Sequence, residues 1–150
     1  MEPNDYQIGG GHYKNDYQHW DLVCDIDMHY LLGCATKYIS RWRKKNGIQD
    51  LRKALHYLNK AEEQGIYLIE KEEPIYIRII EWFLGVNSTT TLGLWNRFCK
   101  DMELDDIRIM DAIFVGDYES AQFLISDIIS EEEGNPTANY IDPDNNYFRG

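Results

Sequence analysis

The sequence of 150 residues lacks the features that would place it in a membrane or a secretory pathway. No apolar run approaches the length of a membrane-spanning helix, and the N-terminal MEPNDYQIGG has no hydrophobic signal-peptide core. The three cysteines, Cys24, Cys34 and Cys99, are odd in number and scattered, which is typical of a reducing compartment. These absences predict a cytoplasmic protein that makes no contact with a membrane.

The common signatures of catalysis are missing as well. There is no G-x-x-x-x-G-K-[ST] motif, no histidine and cysteine spacing suited to zinc, and no spacing typical of a Ser-His-Asp triad. A P-loop enzyme, a zinc enzyme and a triad hydrolase therefore have little support. The hydrophobic content of 43% nevertheless predicts a folded protein.

Positive charge is scarce but concentrated. The chain has 15 basic and 26 acidic residues, yet seven of the basic side chains and only one acid, Asp50, lie between Lys37 and Lys53. A local concentration of this kind favours the capture of an anion even when the net charge is repulsive. The alternative is an ordinary solvated helix surface. The net charge of −11 argues against binding of a DNA or RNA polyanion outside this one patch.

Apolar spacing predicts two helices across the basic stretch. The first begins near Leu31 and ends at Asn46-Gly47, where glycine suits a left-handed helix stop. The second covers about residues 48–64. Because the link between them is short, we expect the two helices to pack antiparallel.

The polar stripes of these two helices are expected to converge on one pocket. Four cations of the stripes are predicted to bind phosphates: Lys37, Arg41, Lys44 and Lys53. Asp50 would be the orienting carboxylate, either holding an arginine by a bidentate bond or helping to position a metal bound to phosphates. An intramolecular salt bridge explains Asp50 equally well.

A histidine and several tyrosines complete the predicted pocket. His12-Tyr13 directly follows three glycines, which are either an anion-binding nest of backbone amides or a flexible linker. His12 is a candidate general acid or phosphate partner. Tyr13, Tyr38 and Tyr57 are candidates for stacking on a base, although core packing also explains Tyr38.

These residues occur in an order that resembles a small bacteriophage domain. The shared pattern is HY, then GN-x-x-KY-x-x-R-x-x-KK, then DL-x-KA-x-x-Y, and it covers about residues 9–65. The domain is mostly of unknown function, and its best-understood relative is the nucleotide kinase of T7-like phages, which phosphorylates deoxynucleoside monophosphates without a Walker motif. Where the family commonly has Gly-Asn, this chain has Gly33-Cys34, which replaces an amide by a weakly hydrogen-bonding thiol.

The resemblance implies a nucleotide-binding protein of the infected bacterial cytoplasm. As a deoxynucleoside monophosphate kinase it would use His12 and Asp50 as catalytic residues and Mg²⁺ as cofactor. Carboxylates that could hold the metal are Asp21, Asp25 and Asp50. The alternative function is a non-catalytic anti-defence protein that sequesters a nucleotide signal or binds a host protein through its acidic half. We also expect a homo-oligomer, since a small pocket made from short helices is often completed by a second subunit.

The second half of the chain differs in charge. After the sequence EKEEP, residues 74–150 carry 5 basic and 14 acidic side chains, and we place a domain boundary between residues 73 and 74. Helices are expected at about residues 75–85, at 92–102 with Thr91 as cap, at 105–113 and at 118–130, before an irregular tail. The predicted fold is mainly all-α, with an antiparallel helical domain followed by an acidic, mostly helical region.

Overall fold

The computed structural model describes residues 17–69 and 90–134. Within these ranges the chain forms helices and no β-strand, so the predicted all-α class is confirmed. The predicted helix at 75–85, the boundary at 73/74 and the tail after residue 134 lie outside the described residues. The helices are α1 (His19–Asp25), α2 (Tyr30–Arg41), a 3₁₀ turn (Trp42–Lys44), α3 (Ile48–Glu63), α4 (Thr91–Cys99), α5 (Leu104–Val115) and α6 (Tyr118–Glu132).

Most helix ends agree with the sequence to within two residues, but α2 and α4 end earlier than predicted and the cap of α4 is a different residue. The first basic helix leaves the α conformation at Arg41 and continues as the 3₁₀ turn, before Gly47 with φ of 56° completes the stop. At α4 the cap is Thr90 rather than Thr91, and its Oγ1 accepts a hydrogen bond from the Gly93 amide at 3.0 Å. The hydroxyl one residue earlier is therefore the one that satisfies a free amide of the first turn.

The helices pack as antiparallel neighbours around one core. α3 packs on α2, and α6 lies along α3, where hydrogen bonds join Arg52 to Glu133 at one end and Gln122 to Glu62 at the other. One hydrophobic cluster draws buried side chains from all six helices, including Leu22, Leu32, Leu58, Trp95, Ile113 and Ile125. Residues before position 70 and after position 89 thus share a single core.

A buried carboxylate of α5 ties these two parts of the chain together. Asp106 accepts a hydrogen bond at 2.9 Å from the Trp42 indole nitrogen and another at 2.9 Å from Arg43 Nε. The Arg43 guanidinium also lies over the Trp42 ring, 4.3 Å from its centroid. This cluster fixes the 3₁₀ turn, and therefore the end of the helix that carries the predicted phosphate-binding side chains.

His19 of α1 contacts both α2 and α4. Its Nε2 lies 2.8 Å from the Thr36 hydroxyl of α2, and its ring meets Phe98 of α4 edge to face. Burial, followed by the positive charge of Lys37, lowers the pKa of His19 to about 4. The imidazole is therefore neutral at physiological pH and acts as part of the core.

The connection between α5 and α6 depends on a glycine. Gly116 ends α5 with φ of 76°, and a Cβ at this position would lie 2.9 Å from Cδ1 of Tyr67. The Tyr67 ring is stacked on Tyr118 with centroids 5.2 Å apart, so it has little room to move away. Asp117 then caps α6 by accepting from the Ser120 amide at 3.1 Å.

No helix within the described ranges has both the length and the apolar character needed to cross a bilayer.

Candidate functional site

One face of the α2–α3 hairpin gathers aromatic rings and charges, and we call it the tyrosine–cation face. Its α2 residues follow helical spacing along one stripe, and its α3 residues occupy the turns that pack beside them. The face consists of Tyr30, Cys34, Tyr38 and Arg41 from α2, with Asp50, Lys53 and Tyr57 from α3.

Asp50 organises the charged end of this face. It is fully buried, and its Oδ2 accepts from Arg41 Nε at 3.0 Å while its Oδ1 accepts from Arg41 Nη2 at 3.4 Å and from Asn46 Nδ2 at 3.1 Å. The Lys53 ammonium lies 3.7 Å from the same Oδ1. Burial alone raises the pKa of Asp50, but the hydrogen bonds from Asn46 and Arg41 and the nearby positive charges lower it below its ordinary value. Asp50 is therefore a carboxylate that orients a cation.

Tyr38 lies at the centre of the face, between the charges and a second ring. The Arg41 guanidinium is 4.7 Å from its ring centroid, and the Lys53 ammonium is 5.4 Å away, both within cation–π distance. Tyr57 stacks on Tyr38 with an interplanar angle of 19° and centroids 5.9 Å apart. The two rings and two cations thus form one continuous surface across the hairpin.

The other end of the face is formed by Tyr30 and Cys34. Tyr30 is 69% exposed and meets Tyr57 edge to face, with centroids 6.2 Å apart. Its pKa is raised to about 12, first by hydrogen bonding with Cys34 and then by hydrogen bonding with Tyr57. The phenol is therefore neutral at physiological pH and adds no negative charge near the cations.

The structure brings together five of the residues predicted for the site and separates two others from them. Successive contacts on the face link Tyr38, Arg41, Asp50, Lys53 and Tyr57. Lys37 is exposed at its border, and its charge acts on His19 of α1. Lys44 is exposed in the 3₁₀ turn, and neither lysine has an ion pair within residues 17–69 and 90–134. His12 and Tyr13 lie outside the described residues.

Two predicted roles acquire a definite geometry. Arg41 is only 8% exposed, and its guanidinium makes the bidentate bond to Asp50 that the sequence suggested. It therefore contributes a fixed positive charge beneath Tyr38, while Lys53, with its side chain 40% exposed, is the cation of the pair that solvent reaches.

Each carboxylate predicted as a candidate metal ligand accepts a hydrogen bond from the protein in this arrangement. The Asp50 oxygens accept hydrogen bonds from arginine and asparagine donors. Asp21 accepts a hydrogen bond from the Gln18 backbone amide at 2.8 Å, and Asp25 accepts one from the Tyr17 hydroxyl at 2.9 Å. Within the described ranges no three histidine, cysteine or acidic side chains form a group suited to a metal ion.

Tyr30 and Cys34 are residues that sequence reasoning did not assign to the site as ligand contacts. In the sequence, Cys34 stands out because it replaces the asparagine of the phage pattern, and Tyr30 precedes the predicted helix start at Leu31. Residues 30, 34 and 38 are spaced four apart, and extending the helix by one residue would have aligned all three on one stripe.

The fold and this face define a small helical protein with aromatic rings and cations grouped on one face of a helical hairpin. Residues 9–59 match the model of a family described as a protein of unknown function, DUF3310. The match covers about a third of the chain and includes every residue of the tyrosine–cation face. No curated protein and no solved structure matches the chain.

Proposed function

We propose that the tyrosine–cation face binds a nucleotide, and that the protein is a phage nucleotide-binding protein of the infected bacterial cytoplasm. The observation that carries this proposal is the arrangement around Tyr38, where Asp50 fixes Arg41 on the ring and Lys53 remains accessible to solvent. A fixed guanidinium beside a solvent-accessible ammonium attracts phosphate oxygens, and neighbouring rings offer an apolar surface to a base.

Charge balance supports a small phosphate ligand. Arg41 and Lys53 against Asp50 leave one net positive charge on the face, and exposed Lys37 at its border adds another. Two unit charges about 4 Å apart near a protein surface interact by about 4 kcal/mol at an effective dielectric constant near 20. The face therefore has enough positive charge for a monophosphate, in a chain whose net charge of −11 repels longer polyanions.

Calorimetric titration with deoxynucleoside mono- and triphosphates, with and without Mg²⁺, tests this proposal. Lys53→Ala removes the accessible cation and should weaken binding about tenfold, which corresponds to about 1.4 kcal/mol. The matched control is Lys100→Ala, which removes an exposed lysine at the end of α4, away from the hairpin. Absence of binding to any nucleotide, or equal affinities for the two variants, would contradict the proposal.

The finer activity that we propose from the resemblance is phosphoryl transfer to a deoxynucleoside monophosphate, with Mg²⁺ supplied on the nucleotide's own phosphates. Phosphoryl transfer needs mainly positioning and charge neutralisation, which Lys53 and Arg41 are placed to supply. Product formation from a monophosphate and a triphosphate in the presence of Mg²⁺ would support this activity.

A second candidate function, binding of a nucleotide without turnover, is favoured by the state of Asp50. This carboxylate is enclosed by Arg41, Asn46 and Lys53, so it is suited to holding cations rather than to accepting a proton from a substrate. A protein of this kind would sequester a nucleotide signal of a host defence. Tight binding with no product over many equivalents of nucleotide would distinguish sequestration from catalysis.

The acidic second half supports a separate proposal of protein binding. Residues 90–134 carry eleven acidic and three basic side chains, and exposed acids lie along α6, including Glu119, Asp127, Glu131 and Glu132. A basic host protein is the partner that this charge would attract. Co-purification from host extract that survives Lys53→Ala and is lost in high salt would support this role, and light scattering would measure the proposed homo-oligomer.

A further inference from the structure

The two inner tyrosines of the tyrosine–cation face are already engaged by the protein. Tyr38 is contacted by Arg41 and Lys53 and stacks on Tyr57. Tyr57 in turn has Tyr38 against its face, with Tyr30 and His56 in edge contacts. A base that stacked on Tyr38 would compete with the two cations and with Tyr57 for the faces of its ring.

Tyr30 is placed differently. With 69% of its surface exposed, at least one face of its ring is open, although Tyr57 meets it edge to face and its hydroxyl interacts with Cys34. Its backbone is held in the first turn of α2, directly after the cap at His29, whose Nδ1 accepts from the Leu31 amide at 3.2 Å. An accessible ring on a fixed backbone loses little conformational entropy when it stacks on a ligand.

The face therefore has a direction, with an open ring at one end and cations at the other. Tyr30 contacts Tyr57, Tyr57 contacts Tyr38, and Lys53 lies over Tyr38. A nucleoside monophosphate has the same order, since its base and its phosphate are at opposite ends. A sugar phosphate or free phosphate would use only the cationic end.

We infer that Tyr30 stacks on the base of the bound nucleotide and is the residue by which this face distinguishes a nucleotide from a phosphate without an aromatic group. This inference rests on the proposed function, because it names the specificity residue of the same face. Removal of one stacking ring from a nucleotide site lowers affinity by about 5- to 150-fold.

The test compares two ligands on three variants by calorimetry. The ligands are a deoxynucleoside monophosphate and inorganic phosphate, and the variants are Tyr30→Ala, Tyr30→Phe and Phe123→Ala. Phe123 is 67% exposed on α6 and provides an exposed aromatic control that is not part of the tyrosine–cation face. We expect Tyr30→Ala to weaken nucleotide binding within the stated range and to leave phosphate binding unchanged, while Tyr30→Phe and Phe123→Ala retain wild-type affinity for both ligands.

Three results would overturn the inference while leaving the proposed function standing. The first is nucleotide affinity in Tyr30→Ala equal to wild type. The second is an equal loss for nucleotide and phosphate, which would assign Tyr30 to the phosphate end or to the fold. The third is a change in oligomeric state of Tyr30→Ala without a change in nucleotide affinity, which would make this ring a subunit contact. If the wild-type protein bound phosphate but no nucleotide, or neither, the proposed function itself would fail.

Discussion

Replacement of Asp50 by asparagine tests the central ion pair of the hairpin. The substitution keeps the size of the side chain and removes its charge, so Arg41 stays buried opposite an amide instead of a carboxylate. Both Arg41 nitrogens now bonded to Asp50, at 3.0 and 3.4 Å, lose an ionic acceptor, and Lys53 loses its counter-charge at 3.7 Å. The variant therefore leaves a guanidinium in a site that is 8% exposed without the carboxylate that accepts two of its hydrogen bonds.

The expected cost follows from this burial. Removal of one partner of a buried ion pair typically destabilises a protein by about 3–5 kcal/mol, because the remaining charge is not returned to water. Domains of this size are stable by about 5–15 kcal/mol, so Asp50→Asn should lose a large part of the free energy of unfolding. Because the pair also fixes Arg41 beside Tyr38, nucleotide affinity should fall with it.

Urea denaturation at pH 7, monitored by the circular dichroism signal of the helices, measures this loss in the free energy of unfolding. The control is Asp127→Asn, an exposed acid on α6 that should change stability by less than about 0.5 kcal/mol. In Arg41→Met/Asp50→Asn the buried guanidinium is removed together with the carboxylate, and we expect the double variant to be more stable than Asp50→Asn alone. A cost below about 1 kcal/mol for Asp50→Asn would refute the reasoning, since Arg41 would then not depend on this carboxylate.

The same ion pair gives a pH dependence with a definite sign. The pKa of Asp50 in the folded protein is below its ordinary value, so the unfolded chain binds the proton more readily than the folded protein does. The stabilisation is therefore fully present above the unfolded value of about 4 and is lost as the pH falls through the folded value. Wild type and Asp50→Asn should converge in stability under acid conditions.

The remaining predictions concern the core. His19 has a pKa near 4 in the folded protein and about 6.5 when unfolded. As the pH falls from 7 to 4, the free energy of unfolding of wild type should therefore drop by up to about 3 kcal/mol relative to His19→Gln. Urea denaturation at each pH measures this difference, and a difference independent of pH would contradict the prediction. Gly116→Ala should lower the thermal midpoint more than Gly134→Ala. Both glycines have φ above 70°, but only the first places a Cβ 2.9 Å from Tyr67, so equal losses would show that the contact is relieved without cost.

The helices could be predicted from sequence because each has a local signal. α3 follows a glycine stop, α6 follows Gly116-Asp117, and apolar residues recur at helical spacing throughout. The same reasoning gave an arginine as one of the candidate partners of Asp50, since two antiparallel helices bring nearby residues together.

Contacts between distant parts of the chain could not be predicted in this way. Nothing in the local sequence distinguishes Asp106 from the other acids of the second half, yet it is buried and accepts hydrogen bonds from Trp42 and Arg43 more than 60 residues away. The burial of Arg41 could not be predicted either. Residue spacing gives the side of a helix on which a charged side chain lies, but not how much of that side chain the neighbouring helix covers.

The shared core has a consequence for how this chain can be divided. The segment that matches the family model ends at residue 59, whereas the inner surfaces of α1, α2 and α3 are covered by helices that begin at Thr91. The segment that matches the family model therefore does not contain all the helices that bury its own hydrophobic side chains. A fragment ending near residue 69 would lose Asp106, the buried acceptor of the Trp42 indole nitrogen.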